Sequence, residues 1–171
     1  SIRQHVALAI GFVTPGIRFR DNLQLKPDTY LIKVNDVEAA RGEVYPEQFL
    51  AIGPEEKLRC LVGKSVVDPT YGVPGVWIES FQKEKAERLG CMLFDPVSVV
   101  ACQLTEVVRT YAHELLGVSE VSKLLEGQDP VLIREVIPTR VSLVQLRDIL
   151  RALLKEHVSI RNLGTILNRL A

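Results

Sequence analysis

The sequence lacks paired cysteines, long apolar runs and any excess of charge of one sign. Its three cysteines, Cys60, Cys91 and Cys102, are odd in number and widely spaced, with no C-x-x-C. That excludes a disulfide framework and points to a reducing compartment. Lys and Arg number 21 and so do Asp and Glu, which argues against a DNA coat or a membrane-surface peptide. No apolar run approaches the roughly 18 residues of a membrane span; stretches such as Val97–Cys102 are short. Ser1-Ile2-Arg3-Gln4-His5 has no signal-peptide character, and the only Met is Met92. The apolar pattern Ile2, Val6, Ile10 begins at once, so a piece of a longer chain is expected. What is present is ordinary for a globular protein: 171 residues, 47% hydrophobic and 25% charged, enough for one large domain or two small ones.

Periodicity predicts a mixed first part and a helical second part. A helical stripe covers residues 1–11, and alternation predicts strands at Ile17–Arg20, Thr29–Val34 and Val37–Val44, the last two joined by Asn35-Asp36. Residues 45–75 are rich in Pro and Gly, with a short strand at Phe49–Ile52. Val76–Ile78 reads as a buried strand, Ser80–Leu89 as a helix closed by Gly90, and Cys91–Phe94 as a central strand. Asp95-Pro96 opens a long helix that ends at Gly117. Shorter helices follow from Ser119 or Glu120 and from Asp129-Pro130, the latter stopped by Pro138. Ser142 with Gln145 forms a capping box, and a last helix runs through Leu163–Leu170.

Several catalytic signatures are incomplete. Gly63-Lys64-Ser65 has the tail of a phosphate-binding loop, but Leu58 occupies the earlier glycine position, so a solvated turn is expected. His113-Glu114 lacks the second His of a zinc-protease motif, because Gly117 stands there. No catalytic residue, metal site or cofactor is expected; a hydrolase using Cys102 or Cys91 with His113 remains an alternative. Residues 134–171 carry seven Lys and Arg against three Asp and Glu, so a helix-turn-helix nucleic-acid module is another alternative. Asp68-Pro69-Thr70-Tyr71-Gly72 reads first as a turn. An aromatic beside a carboxylate at a loop tip also suits protein recognition.

A set of blocks in fixed order carries a resemblance over nearly the whole chain. They are Pro15–Asn22, Leu25-Lys26-Pro27 with Tyr30, Gly42-Glu43 with Pro46, Leu50–Ile52, Asp68–Pro74, Trp77-Ile78, His113–Gly117, Val158–Leu163 and Thr165–Leu167. Together they resemble the flagellum/hypersensitive response/invasion protein export pore family of type III secretion systems, in its cytoplasmic region. Pro15–Asn22 and His113–Gly117 look more like the flagellar branch than the virulence injectisome branch.

The resemblance implies an α+β fold: a small mixed α/β subdomain (residues 1–46 and 96–115), an inserted β-rich subdomain (47–95) and an all-helical subdomain (116–171). It implies a docking platform for export chaperones with bound substrates. That platform would lie at the cytoplasmic face of the bacterial inner membrane, without catalysis of its own. It also implies partnership with the export ATPase complex and other export-gate membrane proteins, and a nonameric ring in the full-length protein. An injectisome member would instead meet virulence chaperones or a gatekeeper. Onto this chain the chaperone-binding positions fall at Asp68, Tyr71 and Cys102. Tyr71 departs from a common Phe, and Cys102 stands where well-known members carry Thr. Pro69, Pro74 and Gly75 are the expected hinges.

Overall fold

A computed structural model gives the fold and describes residues 8, 11, 12 and 16–171. Of the helix expected over residues 1–11, Leu8 is helical and Gly11-Phe12 forms a bend; the rest lies outside the described residues. Among the described residues the elements are six strands, seven α-helices and a short 3-10 helix, Ser80–Gln82, and the α+β class expected from the sequence is the class observed. They fall into two compact units, residues 21–107 and residues 108–171 with the first twenty.

The unit 21–107 opens with a hairpin of β1 (Thr29–Val34) and β2 (Val37–Glu43). Asn35 and Asp36 both take positive φ, 50° and 62°, the twist that a two-residue hairpin turn requires. Ala39 has no register partner between Glu38 and Ala40, which makes a bulge opposite Ile32 and Lys33.

The second sheet is antiparallel in the order β4-β5-β3-β6, formed by β3 (Gln48–Ile52), β4 (Lys64–Val67), β5 (Pro74–Glu79) and β6 (Met92–Phe94). Alternation along β3 and β5 buries both faces. On one face Ala51, Val76 and Ile78 pack with Leu58, Leu61, Ala86 and Cys91, under α1 (Glu55–Leu58) and α2 (Lys83–Arg88). On the other, Leu50 and Trp77 pack against Val99, near the start of α3 (Pro96–Leu115). The Asp95 carboxylate caps α3 by accepting from the Ser98 N–H at 2.7 Å.

Three expectations are corrected. Ile17–Arg20 forms no strand: alternation needs a ladder partner, and none of the strands in either sheet pairs with it. Cys91–Phe94 yields an edge strand rather than a central one, since β6 pairs with β3 alone and Met92 is exposed. Lys64-Ser65 opens strand β4 rather than a turn. The preceding Gly63 passes so close to β5 that an added Cβ would lie 1.9 Å from the Trp77 carbonyl oxygen.

The helical unit continues α3 and adds α4 (Val118–Leu125), α5 (Pro130–Val136), α6 (Leu143–Lys155) and α7 (Leu163–Leu170). Local chemistry sets their starts. Glu120 accepts from the Gly117 N–H at 2.9 Å and Asp129 from the Val131 N–H at 2.9 Å. Ser142 and Gln145 cap each other reciprocally at 3.1 and 2.8 Å. Leu116, Val121, Val136, Leu146, Leu150, Ile160 and Leu167 form the buried core of this unit. Arg151 donates to the Leu116 carbonyl at 2.8 Å, closing the end of α3. Among the described residues no helix is long and apolar enough to cross a membrane.

Candidate functional site

Residues 68–73 connect β4 to β5 as a tight loop. The Asp68 N–H donates to the Val73 carbonyl at 2.7 Å, and the Gly72 N–H to the Asp68 carbonyl at 2.9 Å. Gly72 holds φ at 67°, which glycine adopts without strain. Asp68 Oδ2 accepts from the Thr70 N–H at 3.1 Å and the Tyr71 N–H at 2.7 Å. These are charge-assisted bonds. Asp68 is only 6% exposed, so its carboxylate faces its own loop and shapes it. Tyr71, at the tip, is 66% exposed. The turn reading and the recognition reading of this block are therefore compatible: the carboxylate folds the loop that presents the ring.

Beside the loop lies an apolar strip. Val66 and Ile52 both flank Gly75 in the ladder, and Met92 follows Ile52. Ile52, Val66 and Phe94 are half-buried against Leu50, Trp77 and Val99. Gly75 leaves no room for more, as an added Cβ would stand 2.9 Å from Leu50 Cδ1. Val97 adds exposed apolar surface, and Val67, also exposed, alternates to the opposite face of the sheet.

Cys102 is half-buried on α3. Burial first, then the charges of Asp68 and Glu106, push its thiol up; that disfavours the thiolate a nucleophile needs. Pro69 lies in the loop, whereas Pro74 and Gly75 open β5 and pair with Val67 and Val66, Gly75 also with Ile52. Lys64 is engaged too: Glu43 lies 2.7 Å from its ammonium, which also donates to the Tyr45 hydroxyl. Lys64 lies in a strand and not in a loop that opens a helix, so the phosphate-binding arrangement is not formed. At the far end of the same sheet face a groove of about 250 Å³ is lined by Tyr45, Lys64, Trp77 and Phe81. It includes none of the expected site residues. Among the described residues no three His, Cys, Asp or Glu side chains gather as a metal site.

One residue near the site, Gln103, went unread in the sequence, and Tyr30 was read only as a strand and motif position. Gln103 on α3 is 6% exposed. It accepts at Oε1 from the Tyr30 hydroxyl and donates from Nε2 to the Pro69 carbonyl at 3.4 Å. Burial, and after it the Asp68 charge, push the Tyr30 phenol up to about 12. The available signal was a polar side chain one turn after Val99, on the buried face of the helix.

With this geometry in hand, the sequence profile of the FHIPEP family matches residues 1–171. The chain belongs to the FHIPEP family. This FHIPEP chain is 40% identical over 173 residues to flagellar biosynthesis protein FlhA of Bacillus subtilis (strain 168), covering 99% of the chain and 26% of that protein. Against the same-named protein of Escherichia coli (strain K12) it is 38% identical over 174 residues, with 100% and 25% covered. It thus spans about a quarter of the length of these relatives. Its fold matches the solved structure of the Chlamydia pneumoniae CdsV protein with a TM-score of 0.85 at 29% identity, covering 99% of this chain and 54% of that one. A structure of the CdsV and CdsO protein complex matches with a TM-score of 0.84 at 29% identity, covering 99% and 50%.

Proposed function

We propose that this FHIPEP chain is part of a docking platform of the type III protein export apparatus. It would receive export chaperones carrying their substrates and pass the cargo towards the membrane export gate. The observation that carries the reading is the presentation of Tyr71. An exposed ring stands on a loop whose buried carboxylate leaves it little freedom, next to the strip of Val66, Ile52 and Phe94. A rigid aromatic beside an apolar strip suits groove recognition of a partner helix or extended segment. In this reading Tyr71 makes the contact, Asp68 sets the loop, and Cys102 lines the same region from α3. Of the expected hinges only Pro69 lies outside the strand ladder. The role needs neither catalysis nor a cofactor.

Family membership supports placing the platform at the cytoplasmic face of the inner membrane. The 40% identity to a flagellar protein favours the flagellar branch. The three-part division (1–46 with 96–115, 47–95, and 116–171), work with the export ATPase complex and other gate proteins, and a nonameric ring of the longer protein belong to the same proposal. The CdsV structure with CdsO bound supports the idea that this fold takes protein partners.

The test is calorimetric titration of the chain with a flagellar export chaperone bound to its substrate. Micromolar binding that Tyr71→Ala removes without unfolding the chain is the expected result. Binding unchanged in Tyr71→Ala overturns the site. Binding only to a virulence chaperone moves the chain to the injectisome branch.

A further inference from the structure

We propose that Gln103 is a positioning residue of the docking loop: the polar chain from Tyr30 through Gln103 to Pro69 sets the pose in which Tyr71 meets a docked chaperone. The inference rests on the docking function above and extends it to residues outside the loop.

The direction of this chain is fixed by chemistry. The Pro69 carbonyl can only accept, so the amide Nε2 of Gln103 faces it, at 3.4 Å. Oε1 then faces Tyr30, whose hydroxyl must donate. A phenol pushed up to about 12 keeps that proton throughout the physiological range. Gln103 is nearly fully buried, so neither half of its amide can turn to water, and reversing the amide would leave Pro69 without its donor.

The Pro69 carbonyl and the Thr70 N–H belong to one planar peptide unit. Gln103 holds its oxygen end from α3, and Asp68 Oδ2 holds its N–H end from within the loop. The plane is thereby pinned from both sides, and the next residue is Tyr71, whose own N–H meets the same carboxylate oxygen. The bond to Pro69 lies at the long end of the hydrogen-bond range, so it adds to the hold of Asp68 Oδ2 and does not replace it. Fixing that plane reduces the ordering that Tyr71 must undergo when a partner docks.

Gln103→Leu, Gln103→Glu, Tyr30→Phe and Tyr71→Ala in the 171-residue chain test this. The readouts are hydrogen exchange of the Thr70 and Tyr71 amides and affinity for a flagellar chaperone–substrate complex. Gln103→Leu and Gln103→Glu both lose the donor to Pro69. Each is expected to speed exchange at these two amides about tenfold and to weaken docking about three- to tenfold. Tyr30→Phe keeps the donor to Pro69 but leaves the buried Oε1 without its partner, and is expected to move both in the same direction by less, about two- to threefold. Because Gln103→Glu can donate again once protonated, its gap from wild type at equal pH is expected to close as pH falls. A purely structural role would instead raise exchange throughout the unit 21–107 and restore it there as the buried carboxylate is neutralised, whereas positioning confines both changes to the Thr70 and Tyr71 amides. Should the leucine variant fail to fold, the near-isosteric glutamate carries the test.

Exchange unchanged in both Gln103 variants overturns the positioning role whatever the chaperone does. Exchange raised with docking unchanged, while Tyr71→Ala still abolishes docking, overturns the link to the pose. Docking indifferent to Tyr71→Ala overturns the docking function itself, and is told apart because the exchange result stands independently.

Discussion

The two units of the chain satisfy their backbones in different ways. In the helical unit the chain bonds mainly to itself, end caps finish the helices, one distant side chain, Arg151, closes α3 at Leu116, and among the described residues the fully buried side chains are apolar. In the unit 21–107 three polar side chains are buried, Asp68, Gln82 and Gln103, and each completes a stretch of backbone that leaves the ladder. The Gln82 amide accepts from the Val62 N–H at 2.8 Å and donates to the Val62 carbonyl at 2.5 Å, replacing a strand partner. Asp68 and Gln103 do the same for residues 69–71. Irregular backbone can be as well determined as a helix, but its determinants are then single side chains, of which Gln82 and Gln103 are drawn from elsewhere in the sequence.

Four experiments can break or sharpen that contrast. Leu150→Ala, at a fully buried position of α6, is expected to cost about 3 kcal/mol in urea denaturation, because a well-packed core collapses only partly around the void. Gln82→Ala is expected to cost about 2 kcal/mol by leaving both Val62 backbone groups unpaired. A loss below about 0.5 kcal/mol would mean that the buried amide is dispensable and the contrast false. Ser142→Ala removes one side of the capping box and is expected to cost about 1 kcal/mol.

The fourth experiment reads a loss of stability that begins only at alkaline pH. The Tyr30 phenol titrates at about 12 in the fold against 10.0 ordinarily. Below pH 10 both states hold the proton and the contribution is fully present. As pH rises from 10 towards 12 the unfolded chain releases its proton first, so stability falls. Thermal midpoints of wild type and Tyr30→Phe at pH 8 and 11 should show a steeper loss in wild type; parallel losses would contradict it.

What could be read from the sequence was what is encoded locally. Asp95-Pro96, Asp129-Pro130 and Ser142 with Gln145 mark helix starts because the cap lies within three residues of the groups it satisfies. The Asn35-Asp36 turn is legible for the same reason. Strand β4 was not: four residues, two of them polar, become a strand only because β5 lies beside them. Ile17–Arg20 fails in the opposite sense, with alternation and no partner. Within the site, Asp68 and Tyr71 came from a motif, but the inward turn of the carboxylate depends on bonds that form only when the loop closes. Gln103 lies far from the loop in sequence and carries no motif, so its role exists only in three dimensions.

The outer strands of the four-stranded sheet have a consequence beyond docking. Exposed sheet margins are templates on which a second molecule can add its own strand. Here one margin is β4, four residues long and beginning with Lys64 and Ser65, and the other is β6, three residues long. Margins that short, one of them charged at its start, offer little purchase for fibril growth. Val67 and Tyr71 are therefore displayed to solvent beside margins of this sheet that give a second strand little to add to.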